Sequence, residues 1–121
     1  MSIKVTVVDD SKMSRRAVIR ALPEEFTQEL HEAQNGKEAL ELYEQGKADV
    51  MFLDLTMPEM DGFDVLAALK DKQARNFVFV ISADIQPHSQ QKVMELGAVR
   101  FLQKPLEADQ LLDVLKEVGL L

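Results

Sequence analysis

Five short strand-like segments, at residues 3–8, 28–33, 48–53, 77–81 and 98–102, divide this chain, and each is followed by a stretch with helical spacing. The second run is the weakest, with Leu30 as its main apolar anchor. Residues 12–22 place Met13, Ala17, Val18, Ala21 and Leu22 on one stripe, and Pro23 stops the helix they predict. Asn35 suits the cap of a second helix that carries Ala39, Leu40 and Tyr43 and ends near Gly46. A third helix is predicted over about 63–73, after Gly62. Pro87 fits the first turn of a fourth, which runs to Leu96 with Gly97 as its C-cap. The last, over 107–118, aligns Ala108, Leu111, Leu112, Leu115 and Val118. Strands that are apolar throughout must be covered on both faces, so the alternation predicts an α/β fold: a doubly wound parallel sheet with helices on both sides. Right-handed crossovers leave few ways to connect it. The pattern contains no linker, repeat or low-complexity stretch, and 121 residues read as one domain, 1–121.

The runs end in a chemically selective set of side chains. Asp9 and Asp10 follow the first, Asp54 the third, Ser82 the fourth and Lys104 the fifth. In open α/β sheets ligands bind outside the carboxyl ends of the strands. Each residue has an ordinary reading alone: the tandem acids could cap a helix, Asp54 and Lys104 could be solvated, and Ser82-Ala83-Asp84 could be a polar turn. Together they are harder to explain so, because doubly wound order sets the first and third strands side by side. Three carboxylates at one edge repel unless a cation joins them. Mg²⁺ suits such a site, since it binds through one or two carboxylates plus phosphate oxygens. A carboxylate can also act as nucleophile and form an aspartyl phosphate. Charge on a transferring phosphoryl group is stabilised by a metal, an ammonium and a hydroxyl. The set therefore suits phosphoryl transfer to Asp54.

Charge and composition narrow the field. The 21 acids against 14 lysines and arginines give −7, which argues against a nucleic-acid partner. Without cysteine there can be no disulfide, thiolate metal site or cysteine nucleophile. The N-terminus enters a strand pattern at once, unlike a signal peptide. No apolar run approaches the roughly 18 residues of a membrane span. A cytoplasmic protein that does not enter the membrane is expected.

The segments Val7-Val8-Asp9-Asp10-Ser11, Ala33-Gln34-Asn35-Gly36-Lys37-Glu38-Ala39-Leu40, Phe52-Leu53-Asp54-Leu55-Thr56-Met57-Pro58-Glu59-Met60-Asp61-Gly62, Val80-Ile81-Ser82-Ala83 and Phe101-Leu102-Gln103-Lys104-Pro105 resemble the response-regulator receiver domains of the CheY type. The resemblance covers essentially the whole chain. It implies a flavodoxin-like, CheY-like sheet of strand order 2-1-3-4-5. It further implies that Asp54 accepts a phosphoryl group from a histidine kinase or phosphotransfer protein. Mg²⁺ would be held by Asp9, Asp10, Asp54 and the Thr56 backbone carbonyl, Asp10 directly and Asp9 largely through water. Lys104 would pair with phosphoryl oxygens, Ser82 would swing toward them, Phe101 would change rotamer, and Lys104-Pro105 would be cis. A downstream protein would dock on the fourth helix, fifth strand and fifth helix. The first half of that fourth helix, His88-Ser89-Gln90-Gln91-Lys92, is expected to be lightly held. Ser82 stands where threonine is also common, and Phe101 stands where tyrosine is common, so the hydroxyl is kept at one position and absent at the other. By the same resemblance, Thr56 and Asp84 would flank the path of attacking water, and Asp84 is expected to assist hydrolysis; its plainer reading is a cap of the fourth helix. Such a domain assists its own phosphorylation and dephosphorylation and is not an enzyme acting on a separate substrate.

Other readings fit less well. An aspartyl-phosphate phosphatase of the haloacid-dehalogenase class would want an acid two residues after its nucleophile, where Thr56 stands. An FMN carrier would want Ser, Thr and Gly in the first strand–helix turn, where Asp9-Asp10-Ser11-Lys12 stands. The chain ends at Leu121, just after the last helical stripe, so the expectation is a stand-alone receiver or a receiver from a larger regulator, without an output domain. His31 and His88 match no site position and read as surface or packing residues.

Overall fold

The computed structural model describes residues 2–121. Five strands and five helices alternate along it: β1 Lys4–Val8, α1 Lys12–Ala21, β2 Glu29–Ala33, α2 Gly36–Glu44, β3 Val50–Leu53, α3 Gly62–Asp71, β4 Phe77–Ser82, α4 Pro87–Glu95, β5 Arg100–Gln103 and α5 Ala108–Glu117. All pairings are parallel, and the sheet order is β2-β1-β3-β4-β5.

Strand side chains alternate between two cores, as the pleat requires. Val5, Val7, Val50, Phe52, Phe79, Ile81 and Leu102 join one, with Val18 from α1 and Leu111, Val114 and Leu115 from α5. Val8, Met51, Leu53, Val78 and Val80 join the other, with Ala39 of α2, Val65, Leu66 and Leu69 of α3, and Val93 of α4. Phe52 and Phe79 stack across neighbouring strands at 5.3 Å between ring centroids. Burying such a pair adds area and geometry together. β2 is an edge strand with one fully buried residue, Ala33, which explains its faint apolar signal.

Several boundaries move from expectation. Helix α3 begins at Gly62, because the Asp61 carboxylate caps it by accepting from the Asp64 N–H, and Asp64 returns a bond to the Asp61 N–H. Strand β4 extends to Ser82, and β5 starts at Arg100, two residues late; the Val99 N–H already donates to the Val78 carbonyl at 2.8 Å. Between α1 and β2 the chain makes a single 3₁₀ turn, Glu24–Phe26, that sinks Phe26 fully into the core. Gly46 and Gly97 end α2 and α4 with positive φ, at 74° and 106°. Among the described residues, no helix is long and apolar enough to cross a membrane.

Candidate functional site

Register decides where the acids fall. Val8 pairs with Leu53, so the residues after them, Asp9 and Asp54, leave neighbouring strands together. The ladder continues one step beyond the strands: Asp54 N–H donates to the Val8 carbonyl at 3.0 Å, and Asp9 N–H to the Ala33 carbonyl at 3.1 Å. Both carboxylates are thereby held on fixed backbone. Asp9 and Asp54 are buried, at 3% and 7% exposure, while Asp10 is exposed. One carboxylate oxygen from each of the three lies within 4.8 Å of the others.

Lys104 reaches in from the end of β5. Its Nζ sits 2.8 Å from Asp9 Oδ2 and 3.2 Å from Asp54 Oδ1. Its backbone N–H donates to the Ser82 carbonyl at 2.9 Å, and the Lys104–Pro105 peptide bond is cis. Three carboxylates against one ammonium leave two negative charges unmatched. Burial raises the Asp54 pKa above the usual carboxylate range, with help from the charges of Asp9 and Asp10; the charge and hydrogen bond of Lys104 act against this and do not prevail. Burial lowers the Lys104 pKa, but its hydrogen bond to Asp9 and the charges of Asp54 and Asp9 outweigh that and raise it. The lysine thus gains from the cluster while Asp54 loses by it, because Lys104 faces two acids and Asp54 shares a single cation with them.

Such a donor set fits a hard dication. All three donors are carboxylates, and the missing charge is that of one divalent ion. Soft-metal chemistry finds no thiolate here, and neither histidine takes part in the acid cluster: His31 lies on β2 with Nε2 3.5 Å from Glu29, and His88 is exposed on α4.

The tandem acids do not cap α1; Ser11 does, its hydroxyl accepting from the Ser14 N–H at 3.2 Å. Asp9 Oδ1 instead accepts from the Ser11 N–H at 2.9 Å. One residue escaped the sequence reading altogether. Arg15 on α1 donates Nη1 to the Asp9 carbonyl at 2.7 Å and Nε to Glu32 at 2.8 Å, fastening the acidic loop to β2. An arginine on a helix stripe carries no sequence signal for that contact.

Thr56 lies exposed two residues past Asp54. Ser82 is buried at the end of β4, and its hydroxyl accepts from the Asp84 N–H at 3.0 Å. Phe101 on β5 is half-buried against the core beneath α2, α3 and α4. Both Asp84 oxygens are engaged, Oδ1 by the Gln86 N–H at 3.0 Å and Oδ2 by the Ser89 hydroxyl at 2.8 Å, while α4 takes Gln86 as its N-cap and has no side-chain cap bond. Hydrogen bonds from the Gln86 N–H and then Ser89 lower its pKa. The start of α4 is better fastened than its polar sequence suggested, since Ser89 is 2% exposed. A hollow of about 730 Å³ opens at the opposite end of the strands beside Tyr43, Arg75 and Phe77, and none of the three acids lines it.

Comparison with known proteins agrees with this geometry. The family described as "Response regulator receiver domain" matches residues 5–116. The chemotaxis protein CheY of Listeria monocytogenes is 34% identical over 117 residues, covering 97% of this chain and 98% of that protein. The solved Vibrio cholerae chemotaxis protein CheY4 is 29% identical with a TM-score of 0.84, covering 98% of this chain and 99% of that one. A chain in the CheX-CheY-BeF3-Mg²⁺ complex from Borrelia burgdorferi is 28% identical with a TM-score of 0.85, over 94% of this chain and 87% of its own length.

Proposed function

The chain belongs to the response-regulator receiver family and is CheY-like, and from that premise we propose that it takes up a phosphoryl group on Asp54 in the presence of Mg²⁺. The convergence of Asp9, Asp10 and Asp54 with Lys104 on one sheet edge carries the reading. The donor is a phosphohistidine of a sensor kinase or phosphotransfer protein. An Asp54 carboxylate oxygen attacks phosphorus, the P–N bond breaks, and the imidazole leaves with the bonding electron pair and takes up a proton. When bound, Mg²⁺ supplies charge neutralisation for phosphoryl oxygens and carboxylates. Asp10 and the Thr56 carbonyl would contact it most directly. Asp9 has one oxygen on the Ser11 N–H and the other on Lys104, which supports its acting through water.

Lys104 holds a phosphoryl oxygen by moving its ammonium off the acids it now bridges. Ser82 donates to another oxygen, and Phe101 repacks against the altered strand end. The domain assists its own phosphorylation and dephosphorylation and turns over no other substrate. It works in the cytoplasm, and its output is a downstream protein bound through α4, β5 and α5. The presence of BeF3 and Mg²⁺ in the similar Borrelia burgdorferi complex supports this chemistry. Labelling with a small phosphodonor plus Mg²⁺ provides the test. Wild type is expected to take up one phosphoryl group and Asp54→Asn none; equal uptake by both refutes the assignment.

A further inference from the structure

Every polar group of Asp9 is engaged. Its N–H donates to the Ala33 carbonyl, Oδ1 accepts from the Ser11 N–H, and Oδ2 accepts from Lys104. Its carbonyl lies one step past β1, and among the described residues no backbone N–H donates to it. Arg15 supplies the missing donor. Nη1 reaches the Asp9 carbonyl at 2.7 Å, and Nε reaches Glu32 Oε1 at 2.8 Å. The arginine side chain is only 13% exposed, so the guanidinium is packed between α1 and β2. Glu32 lies beside Val7 in the sheet register, on the edge strand. Asp10 is placed differently. Its carboxylate is exposed and, among the described residues, has no hydrogen bond or ion pair, yet one of its oxygens lies within 4.8 Å of oxygens of Asp9 and Asp54. Backbone alone sets its direction, through the peptide that joins it to Asp9.

We propose that Arg15 is a positioning residue for Mg²⁺: its bond to the Asp9 carbonyl fixes the Asp9–Asp10 peptide and so aims the Asp10 carboxylate at the sheet edge. The peptide unit is planar, so holding its oxygen also holds the N–H and Cα of Asp10. Glu32 occupies the other side of the guanidinium fork and keeps that charge off the acids. Groups that orient a metal ligand without touching the metal contribute strongly to affinity. Charge alone argues the other way. A cation near three carboxylates repels a dication, so its removal should tighten Mg²⁺ binding. The sign of the effect therefore separates positioning from simple electrostatics. The inference rests on the Mg²⁺ reading above.

Amide chemical shifts followed through a Mg²⁺ titration of wild type, Arg15→Met and Arg15→Lys provide the test. Methionine keeps the apolar stem and removes both the charge and the donors. Its dissociation constant for Mg²⁺ is expected to rise about tenfold, the lower end for loss of a group that orients a metal ligand. In chelator, the Asp10 and Ser11 amides should leave their wild-type positions while those of Val5 and Val7 keep theirs, which a general loss of stability would not produce. Lysine keeps the charge but has one ammonium for two acceptors, so its affinity should fall between wild type and Arg15→Met. Mg²⁺ bound by Arg15→Met as tightly as by wild type, or more tightly, overturns the positioning role and leaves the Mg²⁺ reading standing. Should Arg15→Met not fold, wild-type affinity in Arg15→Lys does the same. No response of wild type to millimolar Mg²⁺ overturns that reading and the inference with it.

Discussion

Gly62→Ala tests how closely the turn after β3 is folded over the site. Gly62 is buried at the first position of α3, and its N–H donates to the Leu55 carbonyl at 3.0 Å. A Cβ at that position would lie 2.5 Å from the Asp54 carbonyl oxygen and 2.8 Å from Leu55 Cα. Comfortable contact needs about 3.5 Å, so the overlap approaches ~1 Å. Both obstructing atoms are backbone, and no side-chain rotation can clear them. Overpacking of this kind costs about 1–3 kcal/mol. Alanine returns about 0.4–1 kcal/mol by restricting the unfolded chain. The clash wins, and a net loss of about 1–2 kcal/mol lowers the midpoint by roughly 4–10 °C in a domain of this size.

Gly36→Ala serves as the control. Its Cβ would also meet atoms at 2.5 and 2.6 Å, but these are Cγ and Sδ of half-buried Met60, the flexible end of a side chain that can swing away; the Val65 methyl at 2.9 Å is the firmer obstacle. Less than about 1 kcal/mol should be lost there. Urea denaturation with and without Mg²⁺ distinguishes the two. Relief of the Gly62 clash displaces the Asp54 carbonyl, so Gly62→Ala should also weaken stabilisation by Mg²⁺, and Gly36→Ala should not. Gly62→Ala as stable as wild type, or no worse than Gly36→Ala, refutes the reasoning.

Two further outcomes follow from charge and from backbone strain. Because burial and the charge of Asp9 raise the Asp54 pKa in the folded state, that state binds the proton more tightly than the unfolded chain, and stability falls as pH rises through the folded value. In chelator near pH 7, Asp54→Asn should therefore melt higher than wild type, with the gap closing toward about pH 4 and narrowing under saturating Mg²⁺; a lower melting point at pH 7 sinks the idea. Gln73, just past α3, holds φ at 56°, so Gln73→Gly should gain up to about 1 kcal/mol by denaturant titration, and a loss would show that its side chain matters more than its backbone.

The sequence was most legible where one physical cause dominated. Strands β3 and β4 are buried on both faces, so their apolar runs are unbroken and their ends abrupt. Asp54 and Ser82 could be read as strand-end residues for that reason. Edge strand β2 gave a weak pattern because only Ala33 is fully buried. What escaped notice depends on contacts distant in sequence. Phe26 follows the helix-stopping Pro23, and nothing local says that a 3₁₀ turn drives it into the core. Ser89 stands in a polar run, and nothing local signals that it is buried and bonded to Asp84. Arg15 reaches the Asp9 carbonyl only once α1 lies beside β1 and β2.

The end of β4 is where these observations meet. Ser82 contacts two different parts of the molecule through two different groups. Its backbone carbonyl holds the Lys104 N–H, and Lys104 in turn bridges Asp9 and Asp54. Its hydroxyl holds the Asp84 N–H and, through the Asp84 carboxylate, α4. The backbone bond is one rung of a parallel ladder and resists change. The hydroxyl has one rotatable torsion and three staggered wells, so it can leave its partner without disturbing the sheet. A change of charge at Asp54 can therefore be felt by Lys104 while the strands stay fixed, and the freedom to respond lies with the β4–α4 turn.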